Sequence, residues 1–330
     1  MWLKRRKPSL AFAVSCAANL GYKPGMRIAA LFFSLAAGGA ALAQQAPSNA
    51  VTTEQARSIV PRADLSDLTD AQRGVFLAVA TEVFNYAGCQ DTLAKCLGAG
   101  QNDAHALRMA ALVKQFCSEG HPASPIVQAV ERYYASFDAA QRVPVNADNC
   151  PVAGKGPVTI VEFSDYQCPH CAQAVAPLEE LVDKARKGKA RLCSKYFPFP
   201  SHPRARIAAA CAEYARGKGK FWEMNASLFA HQEALEDEDL KACAKQVGLD
   251  GEEMLKQVYA GKFDAQVEKN RREGMAAGVE STPSLFFDGR LNLLPIHPWY
   301  LAFTVDDELQ WQREKGWKFG PAPQGHAKAR

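Results

Sequence analysis

Apolar residues recur at helical spacing between residues 63 and 138. The first run follows Thr69, whose combination with Gln72 three positions later is typical of a capping box at a helix start. A second run covers about 102–118, and a third begins at Ser124, which is followed by a proline. The pattern predicts a small three-helix domain over 63–138.

The second half of the chain alternates strand and helix patterns. Residues 158–163 form a β-branched apolar run of the kind found in buried strands. A helical pattern at about 168–186 and a strand-like run at 189–197 follow, and this spacing predicts two parallel strands joined by the helix. The remaining predicted elements are mainly helix over 203–278, a strand over 284–287 that ends in an Asp-Gly turn, and a last helix over about 298–315.

These elements predict an α/β protein in which a small helical domain precedes a larger α/β domain. The stretch between them is rich in Pro, Gly, Asn and Asp, which is typical of a linker. The boundaries that the pattern predicts are a flexible lead-in at 44–62, the helical domain at 63–138, a linker and the start of the second domain at 139–156, the second domain at 157–317 and a mobile tail at 318–330.

Residues 1–43 have the pattern of a secretory signal peptide. They carry six basic residues and no acidic one, and an apolar stretch leads to the small residues that end at Ala43. We therefore expect cleavage near Ala43 and export to the periplasm or an equivalent compartment. Met26 is an alternative start of translation that gives the same mature chain. The apolar stretch is shorter than the about 20 residues needed to span a membrane, so we expect no membrane anchor.

The charge balance of the chain is different without this leader. The 330-residue chain has a formal net charge of +4, but residues 44–330 carry 33 basic and 35 acidic residues. No dense basic stripe remains, so we expect no nucleic-acid partner. Nine of the ten cysteines follow the leader, which is many for a chain kept reduced in a cytosol and agrees with an oxidising compartment.

The clearest chemical motif is Cys168-Pro169-His170-Cys171, placed between the buried strand and the next helix. A thiol at a helix start lies near free backbone N–H groups and the positive end of the helix, which stabilise a thiolate. We therefore assign Cys168 as the attacking cysteine and Cys171 as the partner that resolves a mixed disulfide. His170 is expected to stabilise the thiolate by charge or hydrogen bonding.

A structural disulfide and half of a zinc site are the alternatives for this motif. Zinc would need two further ligands, and the chain contains no second Cys-x-x-Cys. We therefore expect redox chemistry at the two cysteines, with neither a metal nor a cofactor.

The segment 161–171, Val-Glu-Phe-Ser-Asp-Tyr-Gln-Cys-Pro-His-Cys, resembles the active-site region of DsbA-like thiol–disulfide oxidoreductases. Residues 278–284 resemble the cis-proline loop of that family, and residues 219–224 resemble a motif of its inserted helical subdomain. The resemblance covers about residues 142–316. It implies a thioredoxin-like fold with a helical insertion at about 199–278, preceded here by the small cysteine-containing three-helix domain.

The resemblance also implies roles for residues outside the motif. It implies a cis bond between Thr282 and Pro283 that faces the active-site disulfide, with the Thr282 backbone free to bind an extended substrate strand. Glu162 matches the buried acid of the family, and Lys195 on the next strand is its expected partner. Together these two side chains would tune the thiols and relay a proton. A water-exposed Glu at a strand end is the alternative for Glu162.

The seven remaining cysteines of the mature chain are mostly expected to form structural disulfides. The candidates are Cys89, Cys96, Cys117, Cys150, Cys211 and Cys243. The first four allow two disulfides in three connectivities, and the last two allow a third disulfide. Cys89 and Cys96 can pair only if the chain after Gly88 breaks the helix, because seven helical residues rise by about 10 Å. Cys193 is expected to be a buried free thiol.

The combined pattern predicts an exported thiol–disulfide oxidoreductase that donates disulfides to newly secreted proteins through Cys168 and Cys171. Its expected partners are reduced or misfolded exported proteins and a membrane redox partner that resets the active site. Two other functions stay open. One is a disulfide isomerase or reductase in which the N-terminal domain drives dimerisation, and the other is a non-enzymatic exported peptide-binding or chaperone module.

Overall fold

The computed structural model describes residues 49–98, 100 and 102–317. The leader, with Met26 and the cleavage site expected near Ala43, lies outside the described residues, as does the tail predicted at 318–330. None of the helices in the described part of the chain has the length and apolar character required to cross a bilayer.

Five helices build the described N-terminal region, two more than the sequence pattern predicts. They are α1 (Thr53–Ile59), α2 (Asp70–Glu82), α3 (Leu93–Cys96), α4 (Ala104–Ser118) and α5 (Ala123–Ala135). The three predicted helices correspond to α2, α4 and α5, and the capping box of Thr69 with Gln72 is confirmed. The flexible lead-in predicted at 44–62 instead contains α1, because Thr52 and Gln55 make a second capping box and the helix packs into the helical core.

Five strands form one mixed sheet in the described C-terminal region. They are β1 (Val152–Lys155), β2 (Val158–Ser164), β3 (Ala190–Tyr196), β4 (Ser284–Phe287) and β5 (Arg290–Leu291). The order across the sheet is β1-β3-β2-β4-β5, with β2 and β3 parallel and the other neighbours antiparallel. The edge strand β1 lies in the stretch that was predicted to be a linker. The sequence does not mark it as a strand, because its residues are mostly exposed and lack the apolar pattern of a buried strand.

Helices connect the strands in the order that the sequence predicts. Helix α6 (Pro169–Glu180) joins β2 to β3 and contains Pro177, and it continues into a π-helical turn at Leu181–Ala185. The helices inserted between β3 and β4 are α7 (Ala205–Gly217), α8 (Phe221–Ala230), α9 (Asp237–Gln246), α10 (Gly251–Tyr259) and α11 (Asp264–Ala276). Helix α12 (Pro298–Glu314) follows β5. The thioredoxin-like fold with a helical insertion is therefore confirmed.

The two faces of the sheet bury different cores because successive residues of a strand point to opposite sides. The α6 face, which α6 and α12 cover, carries Val158, Ile160, Leu192, Leu285 and Phe287. The α11 face carries Val161, Phe163, Cys193 and Phe286. On that face Gly274 of α11 lies so close to Phe163 and Phe197 that an added Cβ would clash with both rings.

The N-terminal helices share a hydrophobic core with the end of the chain. Leu294, Tyr300, Phe303 and Trp317 are buried in the same cluster as the apolar residues of α2, α4 and α5. Polar contacts cross the same interface: the guanidinium of Arg108 pairs with Asp307, and the hydroxyl of Tyr133 donates to Asp307 at 3.0 Å. The helical region therefore packs directly on the α/β region.

Candidate active site

The loop after β2 brings Cys168 to the start of α6. Cys168 is the N-cap residue, and Pro169 occupies the first helical position, where a missing N–H leaves no hydrogen bond unmade. The N–H of Cys168 donates to the carbonyl oxygen of Asp165 at 3.1 Å, and the N–H of Cys171 donates to that of Cys168 at 3.0 Å. Both cysteines therefore lie at the first turn of α6, and both are free thiols in this structure.

The sulfur of Cys168 faces the cis-proline loop. The Thr282–Pro283 bond is cis, as the resemblance implies. The Cys168 thiol donates to the carbonyl oxygen of Thr282 at 3.2 Å. Pro283 has no N–H that could compete for the sulfur. The N–H of Thr282 has no hydrogen-bond partner among the described residues, so it is available to an extended peptide.

Cys171 lies deeper than Cys168. Its exposed fraction is 0 %, whereas Cys168 keeps 7 % of its surface accessible. The N–H of Asp165 donates to the sulfur of Cys171 at 3.4 Å. Burial raises the pKa of the Cys171 thiol well above its ordinary value, although neighbouring polar groups at Ser164 and Asp165 oppose the shift. Loss of the Cys171 proton would therefore need a nearby proton acceptor.

Glu162 is a buried acid on the α6 face of the sheet. It lies in register with Ser194 on β3 and Leu285 on β4. Burial raises the pKa of Glu162 to about 7, and the neighbouring hydroxyls of Ser164 and Ser194 only partly oppose this shift. The charge of Glu162 also helps to raise the pKa of Cys171, which shows that the two groups influence each other. The water-exposed alternative for Glu162 is wrong.

The predicted partnership of Lys195 with Glu162 is also wrong. Lys195 lies in register with Phe163, one residue beyond Glu162, so its side chain points to the α11 face. There the buried ammonium pairs with the carboxylate of Glu273 on α11. No ion pair of Glu162 occurs within the part of the chain that the structure describes.

A groove extends from the active-site helix past the cis-proline loop. Pro169 and His170 are exposed. The first part of the groove, of about 480 Å³, is lined by His170, Gln173, Ala174, Ser281, Thr282, Pro283 and Ile296. The second part, of about 330 Å³, is lined by Ser281, Pro283, Ser284, Leu285, Leu291, Asn292, Leu294, Pro295 and Ile296. We name the segment 291–296, which borders both parts, the groove wall.

Asp165 is a site residue that the sequence reasoning missed. Its carboxylate is 1 % exposed and accepts hydrogen bonds from the N–H groups of Gln167 at 2.7 Å and Phe199 at 2.8 Å. A ring nitrogen of His202 lies 2.8 Å from the same carboxylate. Asp165 thereby ties the loop before Cys168 to the loop after β3. An Asp directly after a buried strand, with an N–H two residues on, is the signal that could have identified this turn.

The inserted helices also hold the active-site loop. The hydroxyl of Tyr166 donates to the side-chain oxygen of Asn225 on α8 at 2.9 Å, and Gln232 donates to the Tyr166 carbonyl oxygen at 3.1 Å. The side chain of Gln167 accepts from the N–H of Arg204 at 2.6 Å. The loop is therefore fastened on its outer side before it reaches Cys168.

Two disulfides lie outside the candidate active site. Cys89 and Cys96 are bonded, with their Cα atoms 5.8 Å apart. Their pairing meets the predicted condition, because α2 ends at Glu82 and Gly88 has a φ of +77°, so no continuous helix joins the two cysteines. Cys150 is bonded to Cys193, which corrects the prediction that Cys193 is a free thiol.

The other predicted pairings are wrong. Cys117, Cys211 and Cys243 are buried free thiols, so the described residues contain two structural disulfides instead of the expected three. Cys150 pairs with Cys193 because the antiparallel pairing of β1 with β3 places Val152 opposite Cys193, close to the segment before β1. Strand pairing of this kind cannot be read from cysteine spacing.

A thioredoxin family model matches residues 153–299. Among curated proteins, 152 residues, or 45 % of this chain, are 34 % identical to Na(+)/H(+) antiporter NhaA 3 from Salinispora tropica. The match covers 23 % of that protein, so the chain spans about a quarter of the length of the curated relatives it matches. Most of the antiporter therefore has no counterpart in the matched segment.

Solved structures are similar to about half of this chain. Oxidised BdbD from Bacillus subtilis is 24 % identical, with a TM-score of 0.47 over 51 % of this chain and 97 % of that chain. A thioredoxin-like oxidoreductase from Silicibacter pomeroyi is 28 % identical, with a TM-score of 0.45 over 49 % of this chain and 94 % of that chain.

The family match and the fold describe the same part of the chain. The matched residues include the central strands of the sheet, α6 with its two cysteines, the helical insertion and the cis-proline loop. The thioredoxin-like fold that the resemblance implies is therefore confirmed. Residues 153–299 match the thioredoxin family model and form a thioredoxin-like domain with a cysteine pair at the start of α6.

Proposed function

We propose that this protein is an exported disulfide oxidase that donates the Cys168–Cys171 disulfide to newly secreted proteins. The observation that carries the proposal is the arrangement of the two cysteines. Cys168 caps α6 and keeps an accessible edge beside the cis-proline loop, whereas Cys171 is fully buried behind it. A substrate thiolate can therefore reach only the sulfur of Cys168.

The reaction is a double exchange of sulfur–sulfur bonds. A substrate thiolate attacks the sulfur of Cys168, the Cys168–Cys171 bond breaks, and Cys171 leaves as a thiolate that takes up a proton. A second thiolate of the substrate then attacks the substrate sulfur that is bonded to Cys168. This forms the substrate disulfide and releases Cys168 as a thiolate. The substrate loses two electrons and gains a disulfide, and the enzyme ends with two reduced cysteines.

The start of α6 favours the last step. Free backbone N–H groups and the positive end of the helix dipole stabilise the thiolate that leaves at Cys168. Stabilising the reduced form makes the disulfide a stronger oxidant. His170 is exposed in the same turn, where its ring can add charge or a hydrogen bond to the Cys168 thiolate.

Glu162 is the proton donor and acceptor that we assign to Cys171. Its pKa of about 7 lets the carboxyl group exchange a proton near neutral pH, and the raised pKa of Cys171 makes such a partner necessary. Lys195 has no part in this step, because it pairs with Glu273 on the opposite face of the sheet.

The substrate binds along the groove as an extended segment. The free N–H of Thr282 offers it a main-chain hydrogen bond, and Pro283 shapes the surface beside the sulfur of Cys168. Leu291, Pro295 and Ile296 add apolar contacts farther along, which suits unfolded or newly exported chains.

Export rests on the pattern of residues 1–43 and on the two structural disulfides, which persist in oxidising compartments. An oxidase left reduced after one turnover needs a partner that restores its disulfide. We assign that role to a membrane redox protein, reached after cleavage of the leader near Ala43.

The decisive experiment measures the reduction potential of the Cys168–Cys171 couple and its thiol state in cells. We expect a strongly oxidising couple that is found oxidised at rest, and oxidation of a reduced model protein that stops in Cys168→Ala and continues in Cys243→Ala. A couple held reduced would favour the isomerase or reductase function. Equal rates for the protein and Cys168→Ala would favour a non-enzymatic binding module.

A further inference from the structure

The groove wall is held from the side of the N-terminal helices. Leu294 is 5 % exposed and lies in the hydrophobic core built by α2, α4 and α5, although it also lines the groove. Asn292 braces the same segment by donating to the carbonyl oxygen of Leu294 at 2.7 Å and to that of Leu285 on β4 at 2.8 Å. One side of the wall therefore faces the groove and the other packs into the helical domain.

Arg290 anchors the start of the wall. It is fully buried, donates to Ser136 at 3.1 Å and to Glu308 at 2.6 Å, and lies over the ring of Phe137 at 3.9 Å. Its neighbour Leu291 is 42 % exposed and lines the groove. The end of α5 thus fixes the backbone from which Leu291 projects.

Tyr300 anchors the other end of the wall. It lies in the first turn of α12, is 1 % exposed and lines neither part of the groove. Its hydroxyl donates at 2.6 Å to the carboxylate of Glu119, the C-cap residue of α4. The wall ends two residues before α12 begins, so this hydrogen bond fixes the chain direction at which Ile296 leaves the groove.

We propose that the N-terminal helical domain is a positioning module for the substrate groove, and that Arg290 and Tyr300 are the positioning residues through which it acts. The inference rests on the proposed oxidase function, because it assigns the helical domain a role in binding that enzyme's peptide substrates. Neither residue touches substrate. Both hold the wall that does.

A wall held in place before binding favours a long substrate over a short one. A peptide that fills the groove gains from a surface that needs no ordering when the complex forms. A small dithiol that reaches only the sulfur of Cys168 gains nothing from it. Loosening the wall therefore weakens peptide binding and leaves the chemical step unchanged.

The test is a single-turnover oxidation of two dithiols by the oxidised protein. One is an unstructured apolar peptide with two cysteines, and the other is dithiothreitol. The rate for the peptide is measured against its concentration, which gives a half-saturation concentration and a limiting rate. The variants are Tyr300→Phe and its matched control Tyr133→Phe. The control also removes a tyrosine hydroxyl that donates to a carboxylate across the same interface.

We expect Tyr300→Phe to raise the half-saturation concentration for the peptide by about threefold or more, with the limiting rate and the dithiothreitol rate unchanged. Tyr133→Phe should leave all three quantities unchanged. Glu119→Ala should raise the half-saturation concentration as Tyr300→Phe does, and the double variant should add no further loss, because both substitutions remove the hydrogen bond between Tyr300 and Glu119. Glu119→Gln keeps an acceptor and should restore part of the binding.

An unchanged half-saturation concentration in Tyr300→Phe would overturn the inference, and so would an equal rise in Tyr133→Phe. A protein that oxidises neither the peptide nor dithiothreitol would overturn the proposed function itself. Arg290→Met gives a second reading, since it removes the α5 anchor and should also raise the half-saturation concentration without slowing dithiothreitol. Circular dichroism confirms that each variant is folded before its rate is compared.

Discussion

On β2 and β3, the α6 face of the sheet carries Glu162 and Ser194, on the same side as Cys168 and Cys171, and the α11 face carries Phe163, Cys193 and Lys195. These residues are sequence neighbours, yet they have different partners. Cys193 is cross-linked to Cys150 and Lys195 is paired with Glu273, whereas Glu162 has no ion pair among the described residues and is left to titrate.

The difference shows how one strand can serve both stability and chemistry. A one-residue step along a strand moves a side chain to the other face. On the α11 face a cysteine and a charge are each satisfied by a fixed partner, which removes their reactivity. On the α6 face the acid and Cys171 have shifted pKa values because burial is not fully offset by any partner.

The largest expected effect is the loss of Cys168. Cys168→Ala should slow the oxidation of a reduced model protein by about a thousandfold or more, as expected when the group that forms the covalent intermediate is removed. The rate of disulfide formation per folded protein is the measurement. Cys243→Ala, which removes a buried thiol of the inserted helices, should keep the original rate. A normal rate in Cys168→Ala would place the chemistry elsewhere.

The next largest effect concerns the disulfide on the α11 face of the sheet. The double variant Cys150→Ala/Cys193→Ala should lower the free energy of unfolding by about 4 kcal/mol, because the disulfide closes a loop of 43 residues in the unfolded chain. Chemical denaturation measures this loss. The oxidation rate per folded molecule should stay the same. If the reduction potential of the Cys168–Cys171 couple moved while stability did not, the two faces would not be separate in function.

Glu162→Gln tests the α6 face of the sheet. The native pKa of about 7 lies above the ordinary value of 4.5, so the buried carboxylate reduces stability progressively as the pH rises through that window. The substitution should therefore stabilise the protein by about 3 kcal/mol at pH 8 and leave it unchanged at pH 4. Urea unfolding at both pH values, in a Cys168→Ala background that cannot form the active-site disulfide, measures the difference.

The control for this prediction is Glu280→Gln, which removes an exposed acid of the cis-proline loop. It should leave the pH dependence of stability as it is. Equal stability of Glu162→Gln and the background protein at pH 8 would mean that the buried carboxyl group carries no penalty and cannot serve Cys171 in the way proposed.

The smallest expected effect is that of Lys195→Met. The substitution removes one partner of the pair with Glu273, whose side chain is 22 % exposed and can turn to water, so the loss should be about 1–2 kcal/mol. Chemical denaturation at pH 8 measures this loss, which should be the same in a Glu162→Gln background. A loss that disappears in that background would instead support the discarded pairing of Lys195 with Glu162.

Local patterns identified most of the fold because each depends on residues close in sequence. The capping box at Thr69, the β-branched run of β2 and the Cys-x-x-Cys motif at the start of α6 each extend over a few positions. Their structures correspond closely to the predictions. Strand β1 was missed because an exposed edge strand needs only backbone pairing with β3, and no apolar pattern marks it.

Pairings between distant residues were predicted poorly for a different reason. Cys150 and Cys193 are 43 residues apart, and Asp165 meets His202 across a separation of 37 residues. Each contact depends on the relative position of two segments that the sequence describes only separately. The expected Cys211–Cys243 disulfide failed on the same ground, since both cysteines are buried in the insertion as free thiols.

Residues close in sequence predicted a cysteine pair at the start of a helix that follows a buried strand, and the resemblance implied that a proline loop lies beside this pair. These features are local, because helix starts, strand runs and X-Pro bonds are set by adjacent residues. The tertiary structure alone decided that Glu162 stands without Lys195, that Cys193 is a cross-link, and that the N-terminal helices hold the groove wall. The physical reason is that register and packing between remote segments assign each side chain to a face and to a partner.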